Sequence, residues 1–339
     1  MTTSPAPSDG TPTARPALRR LGRSGLAVSA VGLGCNNFGR PQTATETLEG
    51  TRAVVDAALE SGVTFFDTAD TYGGRPGLSE ELLGQALGAR RDDAVVATKF
   101  GMSMRGAAGA DFEARGSRRY VVRAVEDSLR RLGTDRIDLY QLHTPDPLTP
   151  IDETLAALDD LVRAGKVLYV GHSNRAGWQI AEAELTARAA GTVRFVSAQN
   201  QYNLVDRRAE LEVLPATAAF GIGVLPYFPL ANGLLTGKYA HGARPDDGRL
   251  VRTKPHLLES APWEALARLG AFCAVRGVTE VQVAFGWLLS HPQVSSVIAG
   301  ATKPEQVRQN AAASAWEPTA EDLAELDEIF PPATQVAPY

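Results

Sequence analysis

The sequence predicts an α/β protein in which eight parallel strands close into a (β/α)8 TIM barrel, with an N-terminal β-hairpin and extended loops on the C-terminal rim. Three observations predict this fold. From residue 18 onward short apolar runs alternate with longer amphipathic segments, eight such runs can be counted, and polar residues stand at the ends of several of them. This alternation is typical of repeated strand and helix units around a parallel sheet.

The first element is a hairpin in the segment LRRLGRSGLAVS, which begins at residue 18 and has a Gly-containing turn between two short extended stretches. Such a turn favours antiparallel pairing of the flanking residues. The strands that follow are read from short apolar runs, whose length and composition are typical of buried strands. These runs occupy residues 30–34, 63–68, 94–100, 137–143, 167–173, 195–200, 222–230 and 294–300.

Most segments between the strands predict helices that end at a glycine. Glycine enters the left-handed conformation at low cost and therefore closes a helix readily. A last helix, packed outside the barrel, is expected around residues 319–330. The clearest of the other helices span residues 45–61, 117–132 and 152–164 and stop at Gly62, Gly133 and Gly165.

The chain divides into a tail and one domain. Residues 1–17 are rich in Thr, Pro, Ser and Ala and lack the apolar stretch of a signal peptide, so we expect a disordered tail. Residues 18–335 predict a single barrel domain, because α/β barrels commonly occupy this length as one unit. Two connecting segments, 100–116 and 229–262, are longer than simple connections and follow strand ends. We expect both to overhang the active rim.

Composition limits the classes of partner. The formal net charge is −5, which offers no basic field for nucleic acid or an anionic membrane. Cys35 and Cys273 are the only cysteines and predict neither a disulfide framework nor a thiolate metal site. No apolar run approaches membrane-spanning length. We expect a soluble, cytoplasmic protein without a metal, whose oligomeric state the sequence does not indicate.

An open dinucleotide-binding sheet is the competing fold. Its support is the stretch GLGCNN at residues 32–37, which begins like the GxGxxG fingerprint. Asn37 stands where the third glycine would let helix and strand approach each other closely. The eight runs and their polar ends favour the barrel over this partial match.

Four polar residues at strand ends form the candidate catalytic set: Asp67 and Tyr72 in FFDTADTYGG, Lys99 in VVATKFG and His143 in DLYQLHTPD. Parallel strands of a barrel bring such residues to one rim. Each residue taken singly is also ordinary, since the Asp can cap a turn, the Tyr can be a turn aromatic, and the Lys and His can be rim residues. Their joint occurrence favours a functional site.

Together these four residues suit proton transfer to a carbonyl that a hydride is reducing. The product alkoxide needs a proton, and Tyr72 can supply it if a cation lowers the pKa of its phenol from about 10. Lys99 is the expected cation, and Asp67 can hold its ammonium in place and keep it charged. His143 can hydrogen-bond and orient the carbonyl oxygen or relay a proton.

Several runs resemble the aldo-keto reductases: DTADTYG, ATKFG, QLHTPD, GKVLYVGHSN, SAQNQYN and PLANGLLTGKY. The resemblance covers about residues 18–330. It implies a barrel that binds NADP(H) without a Rossmann fold, acts on a small-molecule carbonyl substrate and uses Asp67, Tyr72, Lys99 and His143 as its catalytic tetrad. Relatives that serve as potassium-channel β subunits are similar in the cofactor stretches but carry Asn at the position of His143. This histidine therefore favours catalysis.

The resemblance also implies the cofactor contacts. Ser173, Asn174 and Gln199 match residues that bind the nicotinamide carboxamide, and Tyr227 matches the aromatic residue that stacks on the ring. The helix start after Pro304 can bind a phosphate, which resembles the family's adenosine 2′-phosphate site and favours NADP(H) over NAD(H). The full set is Cys35, Asn36, Asp67, Ser173, Asn174, Gln199, Tyr227, Phe228, Pro229, Leu230, Gly233, Lys238, Gly300, Thr302, Lys303, Gln306 and Asn310.

Two positions depart from the family pattern. Phe228 stands where many relatives carry Ser, which removes one hydroxyl contact to the cofactor, and Ala299 replaces a common Pro. The expected substrate pocket is formed by Asn37, Phe38, Phe100 and Tyr202 together with the two long loops.

Three functions remain open at this point. The first is an NADPH-dependent reductase of aldehydes or ketones with Tyr72 as general acid. The second is an NAD(P)-dependent sugar or alcohol dehydrogenase that runs the same chemistry toward oxidation. The third is a redox-sensing subunit that binds NADP(H) and turns over slowly. The physiological substrate is not indicated, because loops of this kind vary widely on one fold.

Overall fold

The computed structural model describes residues 15–239, 250 and 254–337. Residues 1–14 of the expected tail therefore lie outside the described residues. The same is true of residues 240–249 and 251–253 in the expected loop at 229–262.

The strands form a small hairpin and one large parallel sheet. The hairpin consists of β1 (Leu18–Arg20) and β2 (Ala27–Ser29), which pair antiparallel as predicted. The strands of the large sheet are β3 (Val31–Gly34), β4 (Phe65–Asp67), β5 (Val95–Phe100), β6 (Ile137–Leu142), β7 (Val167–Ser173), β8 (Ser197–Gln199), β9 (Gly223–Val224) and β10 (Val297–Gly300).

The large sheet follows chain order and curls into a barrel. Its strands pair in parallel in the order β10-β3-β4-β5-β6-β7-β8-β9. At the remaining gap Val224 of β9 forms a parallel bridge with Val294, and the N–H of Ser295 donates to the carbonyl of Val224 at 2.9 Å. The predicted (β/α)8 barrel is confirmed, and each of the eight apolar runs contributes one strand.

Helices and short 3-10 segments connect the strands. The 3-10 segments are Ala44–Glu46, Gly88–Asp93, Arg208–Glu210 and Ala231–Thr236. The described helices are α1 (Leu48–Glu60), α2 (Leu78–Leu87), α3 (Arg118–Leu132), α4 (Ile151–Arg163), α5 (Gly177–Ala190), α6 (Val213–Phe220), α7 (His256–Glu259), α8 (Trp263–Arg276), α9 (Glu280–Ser290), α10 (Pro304–Ala313) and α11 (Ala320–Ile329).

The predicted helix stops coincide with left-handed glycines. Gly133 follows α3 directly with a φ of +63°. Gly62 and Gly165 have φ values of +79° and +73° and lie one residue beyond the C-caps of α1 and α4. At the other end of α3, the Ser117 hydroxyl accepts from the N–H of Tyr120, which satisfies one free backbone donor of the first turn.

Alternate side chains along each strand face either the helices or the barrel interior. Along β5, Val96 and Phe100 pack in the cluster under the helices, whereas Ala97 packs inside the barrel. Lys99 lies two residues after Ala97 on the same strand, so its side chain also faces the barrel interior. Leu21 and Val28 of the hairpin region join the inner cluster, so the hairpin closes the lower end of the barrel.

Within the described ranges, no single helix is long and apolar enough to cross a membrane. Helices α8 and α9 meet that test of length and composition only when taken together, and they are bent by 93° at the break between them.

Candidate active site

Four predicted catalytic side chains meet at the carboxyl rim of the barrel. Asp67 ends β4, Lys99 lies in β5, and His143 follows β6. Tyr72 lies in the loop after β4, where its N–H donates to the carbonyl of Ala69 at 3.1 Å. Adjacent strands therefore supply three of the four groups, and one short loop returns the fourth to them.

Lys99 and Asp67 form a buried ion pair. Nζ of Lys99 lies 2.6 Å from Oδ2 of Asp67 and also donates to the carbonyl of Thr68 at 2.9 Å. The other carboxylate oxygen, Oδ1, accepts from Nε2 of Gln141 at 3.1 Å and from Nε2 of Gln199 at 3.0 Å. Burial alone would lower the pKa of Lys99, but the Asp67 charge and the Tyr72 hydroxyl raise it above its ordinary value. The ammonium therefore stays charged.

Tyr72 faces this ammonium. Nζ of Lys99 lies 5.2 Å from the centre of the Tyr72 ring. Burial raises the pKa of the Tyr72 phenol and outweighs the lowering by Lys99, so the net shift is upward. The expected cation is present and lowers the phenol's pKa as expected, but desolvation is the larger effect, so the net shift is upward. Tyr72 consequently keeps its proton at neutral pH.

His143 completes the set beside Tyr72. The two rings lie 5.8 Å apart, centre to centre, at an interplanar angle of 78°. Burial and then the Lys99 charge hold the pKa of His143 well below its usual range, so the imidazole is neutral. Its Nδ1 is buried and has no hydrogen-bond partner among the described residues. The backbone N–H of His143 donates to the carbonyl of Phe100 at 2.7 Å, which fixes the residue to β5.

The residues expected at the nicotinamide form one hydrogen-bonded group. Nδ2 of Asn174 contacts both the carbonyl of His143, at 3.0 Å, and Oγ of Ser173, at 3.1 Å. Ser173 donates to the carbonyl of Gln199 at 2.6 Å, and the Tyr227 hydroxyl donates to Oδ1 of Asn174 at 2.8 Å. Asn174 has a φ of +58°, a left-handed conformation that Asn tolerates. This group joins the expected cofactor residues directly to His143.

The stretch expected at the pyrophosphate is a tight loop after β9. Phe228 and Gly233 have positive φ values of 52° and 112°, and Pro229 and Leu230 lie between them. Lys254, from the far end of the long connection, lies with its Nζ 4.7 Å from the centre of the Phe228 ring and donates to Oδ1 of Asn232 at 3.1 Å. Lys238 is exposed. The loop therefore combines irregular backbone with nearby cations.

The residues expected at the adenosine phosphate surround the start of α10. The N–H and hydroxyl of Thr302 donate to Oε1 of Gln306 at 2.8 and 3.2 Å. Lys303 is the exposed N-cap residue, and Asn310 is buried on the same helix. Gly300 precedes them, and a Cβ there would lie 3.1 Å from Nδ2 of Asn37 and 3.5 Å from Oδ1 of Asn36. Gly300 therefore keeps open the space between β10 and the loop after β3.

Comparison with known proteins agrees with this geometry. Residues 30–330 match the family model described as "Aldo/keto reductase family". The chain belongs to the aldo/keto reductase family. Its membership makes it an oxidoreductase of a family that acts on small carbonyl compounds and generally uses nicotinamide cofactors.

Three relatives illustrate the range of names in this family. The "Uncharacterized oxidoreductase YrpG" of Bacillus subtilis (strain 168) is 38% identical over 318 residues, 92% of this chain and 95% of that protein. The "Probable voltage-gated potassium channel subunit beta" of Oryza sativa subsp. japonica is 37% identical over 86% of this chain and 89% of its own length. The "L-glyceraldehyde 3-phosphate reductase" of Escherichia coli (strain K12) is 34% identical over 86% of each chain.

Three residues expected in the substrate pocket of this aldo/keto reductase are fully buried elsewhere. Alternation along β5 points the Phe100 side chain toward the helices, where its ring stacks on Tyr140 at 4.6 Å between ring centres. Phe38 packs in the same outer cluster. The Tyr202 hydroxyl donates to Glu210 at 2.8 Å in a second cluster. None of these three side chains has exposed surface in this structure, whereas Asn37 is 7% exposed, and the substrate pocket stays a prediction.

Cys35 is also fully enclosed. Burial, followed by the Asp67 charge, raises the pKa of its thiol well above the ordinary value, so the thiol is not reactive. Its backbone N–H donates to the carbonyl of Asp67 at 2.8 Å and ties β3 to β4 at the rim. A cofactor contact from Cys35 would therefore involve its backbone.

Gln141 contacts Asp67 in this aldo/keto reductase but is not among the residues predicted from the sequence. It lies on the same strand as Leu139, two residues away, and therefore on the same inner face. In the sequence, Gln141 can be recognised as a polar residue at an inward-facing position of the apolar run IDLYQL.

Proposed function

We propose that this aldo/keto reductase reduces aldehydes or ketones to alcohols with NADPH, and that Tyr72 is the general acid. The observation that supports it most directly is the continuous set of contacts from the Asp67–Lys99 ion pair to Tyr72 and His143, and from His143 through Asn174 to Tyr227. Proton-donating and cofactor-matching groups thus share one rim.

The residues present suit NADP(H). His143 has a buried nitrogen without a partner among the described residues, and Gly300 leaves open a space that a side chain would fill. Ser173, Asn174 and Tyr227 would hold the nicotinamide end, and Lys303 with Thr302 would hold the 2′-phosphate at the start of α10. Bound NADPH would supply the hydride for the carbonyl carbon.

The chain's own residues carry out the transfer of one proton to the carbonyl oxygen. Tyr72 donates its phenolic proton to the carbonyl oxygen, and the Lys99 ammonium stabilises the phenolate that remains. Asp67 keeps that ammonium in position at 2.6 Å. The neutral His143 imidazole hydrogen-bonds the carbonyl oxygen and orients it toward Tyr72.

Single-turnover oxidation of NADPH tests the proposal. The panel should contain aromatic aldehydes, simple ketones and L-glyceraldehyde 3-phosphate, which is included because two relatives are named as its reductases. Tyr72→Phe should lower the rate by about 10²- to 10⁴-fold, the usual contribution of a general acid. Tyr140→Phe removes another buried hydroxyl, one without a described partner, and should leave the rate unchanged. Equal rates in Tyr72→Phe and the wild type would refute the assigned role.

Two alternatives keep the same site. Oxidation of an alcohol or sugar follows the same steps in reverse, and a preference for NAD+ with alcohols over NADPH with carbonyls would favour it. The relative named as a potassium channel subunit favours a cofactor-binding subunit with slow turnover. Rapid steady-state reduction of simple carbonyls would exclude that second alternative.

A further inference from the structure

We propose that Gln141 is a positioning residue that holds the Asp67 carboxylate on Lys99 while Gln199 turns to the cofactor. This inference rests on the proposed function, because it concerns the same proton transfer. Apart from Asp67, the Gln141 side chain has no described hydrogen bond to an expected substrate or cofactor residue, so it acts through Asp67.

The carboxylate of Asp67 has three side-chain donors with different tasks. Its Oδ2 takes the charged donor, Lys99, and its Oδ1 takes two neutral amides, Gln141 at 3.1 Å and Gln199 at 3.0 Å. Gln141 is fully buried, and Asp67 and Gln199 are each 3% exposed. An amide N–H donates at every pH, so both amides can hold the carboxylate in place.

Strand register explains why Gln141 can occupy this position. Lys99, Gln141 and Gly171 are aligned partners across β5, β6 and β7. A Cβ on Gly171 would lie 3.2 Å from Cγ of Gln141, so the missing side chain provides the space that the glutamine fills. Gln141 is thus enclosed in the barrel wall, from which it reaches Oδ1 of Asp67.

The two amides differ in what else they touch. Gln199 ends β8, and its carbonyl accepts from Ser173, so it stands inside the group expected to hold the nicotinamide. Among the described residues, the Gln141 side chain donates only to Asp67, and its Oε1 has no partner. When Gln199 engages the cofactor, Gln141 is the neutral donor that stays on Oδ1 and keeps the carboxylate oriented.

Paired substitutions separate these roles in the full-length enzyme. Gln141→Met keeps the length of the side chain but removes its N–H, and Gln199→Met does the same at the other amide. Leu139→Met is the matched control, because it changes an inner-face residue of the same strand without touching Asp67. The measurements are kcat, which reports the cofactor-bound enzyme, and the Kd for NADPH from fluorescence quenching.

We expect a split between the two variants. Gln141→Met should lower kcat about tenfold, the size expected from one lost hydrogen bond to a charged group, and change Kd less than twofold. Gln199→Met should raise Kd roughly tenfold. An unchanged kcat in Gln141→Met, or an equal loss of kcat in Leu139→Met, overturns the proposal.

A third measurement needs no turnover. The midpoint urea concentration of Gln141→Met at pH 7 should fall relative to wild type by more than that of Leu139→Met, because a buried carboxylate loses one of its donors. Equal midpoints in Gln141→Met and the wild type overturn the inference even if the wild type oxidises NADPH. Absence of NADPH turnover in the wild type, with the urea result as expected, refutes the proposed function alone.

Discussion

Nζ of Lys99 lies 2.6 Å from Oδ2 of Asp67, and both side chains are almost completely removed from solvent. A buried ion pair gains from attraction but loses hydration on both sides, so its net contribution to stability is small. Removing one partner is different, because the remaining charge is then buried without compensation.

Lys99→Met should therefore lower the free energy of unfolding by about 3–5 kcal/mol. The measurement is urea denaturation at pH 7. Arg163→Met breaks an exposed pair with Asp159 on α4 and serves as the control, with an expected loss below about 1 kcal/mol. Equal losses in the two variants would contradict the buried, uncompensated charge inferred for Asp67.

His172 should make the protein less stable as the pH falls. Burial and then the Arg175 charge hold the pKa of His172 well below its usual range, whereas an unfolded histidine takes up a proton near pH 6.5. Below that pH the unfolded state binds more protons, so the free energy of unfolding falls with decreasing pH, by up to about 1.4 kcal/mol per unit. His172→Leu should flatten the slope between pH 6 and pH 5. His256→Gln, at an exposed histidine, should leave the slope as in the wild type.

Gly171→Ala should disturb the site through its neighbours. A Cβ there would lie 2.1 Å from Oγ of Ser197, so Ser197 and the adjacent Gln141 must move, at a cost of about 1–3 kcal/mol. Thermal unfolding and kcat should both decline, and adding Ser197→Ala should recover part of the stability. At Gly270, in α8, the nearest atom to a new Cβ is 3.9 Å away, so Gly270→Ala should be neutral or stabilising. No recovery in the double variant would place the strain elsewhere.

Lys303 should distinguish NADPH from NADH. Its ammonium stands at the N-cap of α10, where a 2′-phosphate would also meet the free N–H groups of the helix. Lys303→Ala should raise the KM for NADPH roughly tenfold and leave that for NADH unchanged. Lys238→Ala, at the expected pyrophosphate stretch, should weaken both cofactors alike. If Lys303→Ala also weakened both alike, the phosphate assignment would be wrong.

The features that sequence predicts well here depend on local signals. Apolar runs predict the eight strands. Gly133 predicts a helix end, because glycine adopts the left-handed conformation at low cost whatever its neighbours are. The net pKa shift of Tyr72 depends on how deeply the folded chain buries it, which no local motif records. Phe100 follows Lys99 on β5 and therefore faces the helices with Val96, a direction that position at a strand end alone does not indicate.

The donors that surround Asp67 come from residues 32, 74 and 132 positions further along the chain. During synthesis on the ribosome, the lysine is therefore available first, the glutamine of β6 next and the glutamine of β8 last. In chain order, the lysine that compensates the buried charge is therefore synthesised before either of the amides that orient it.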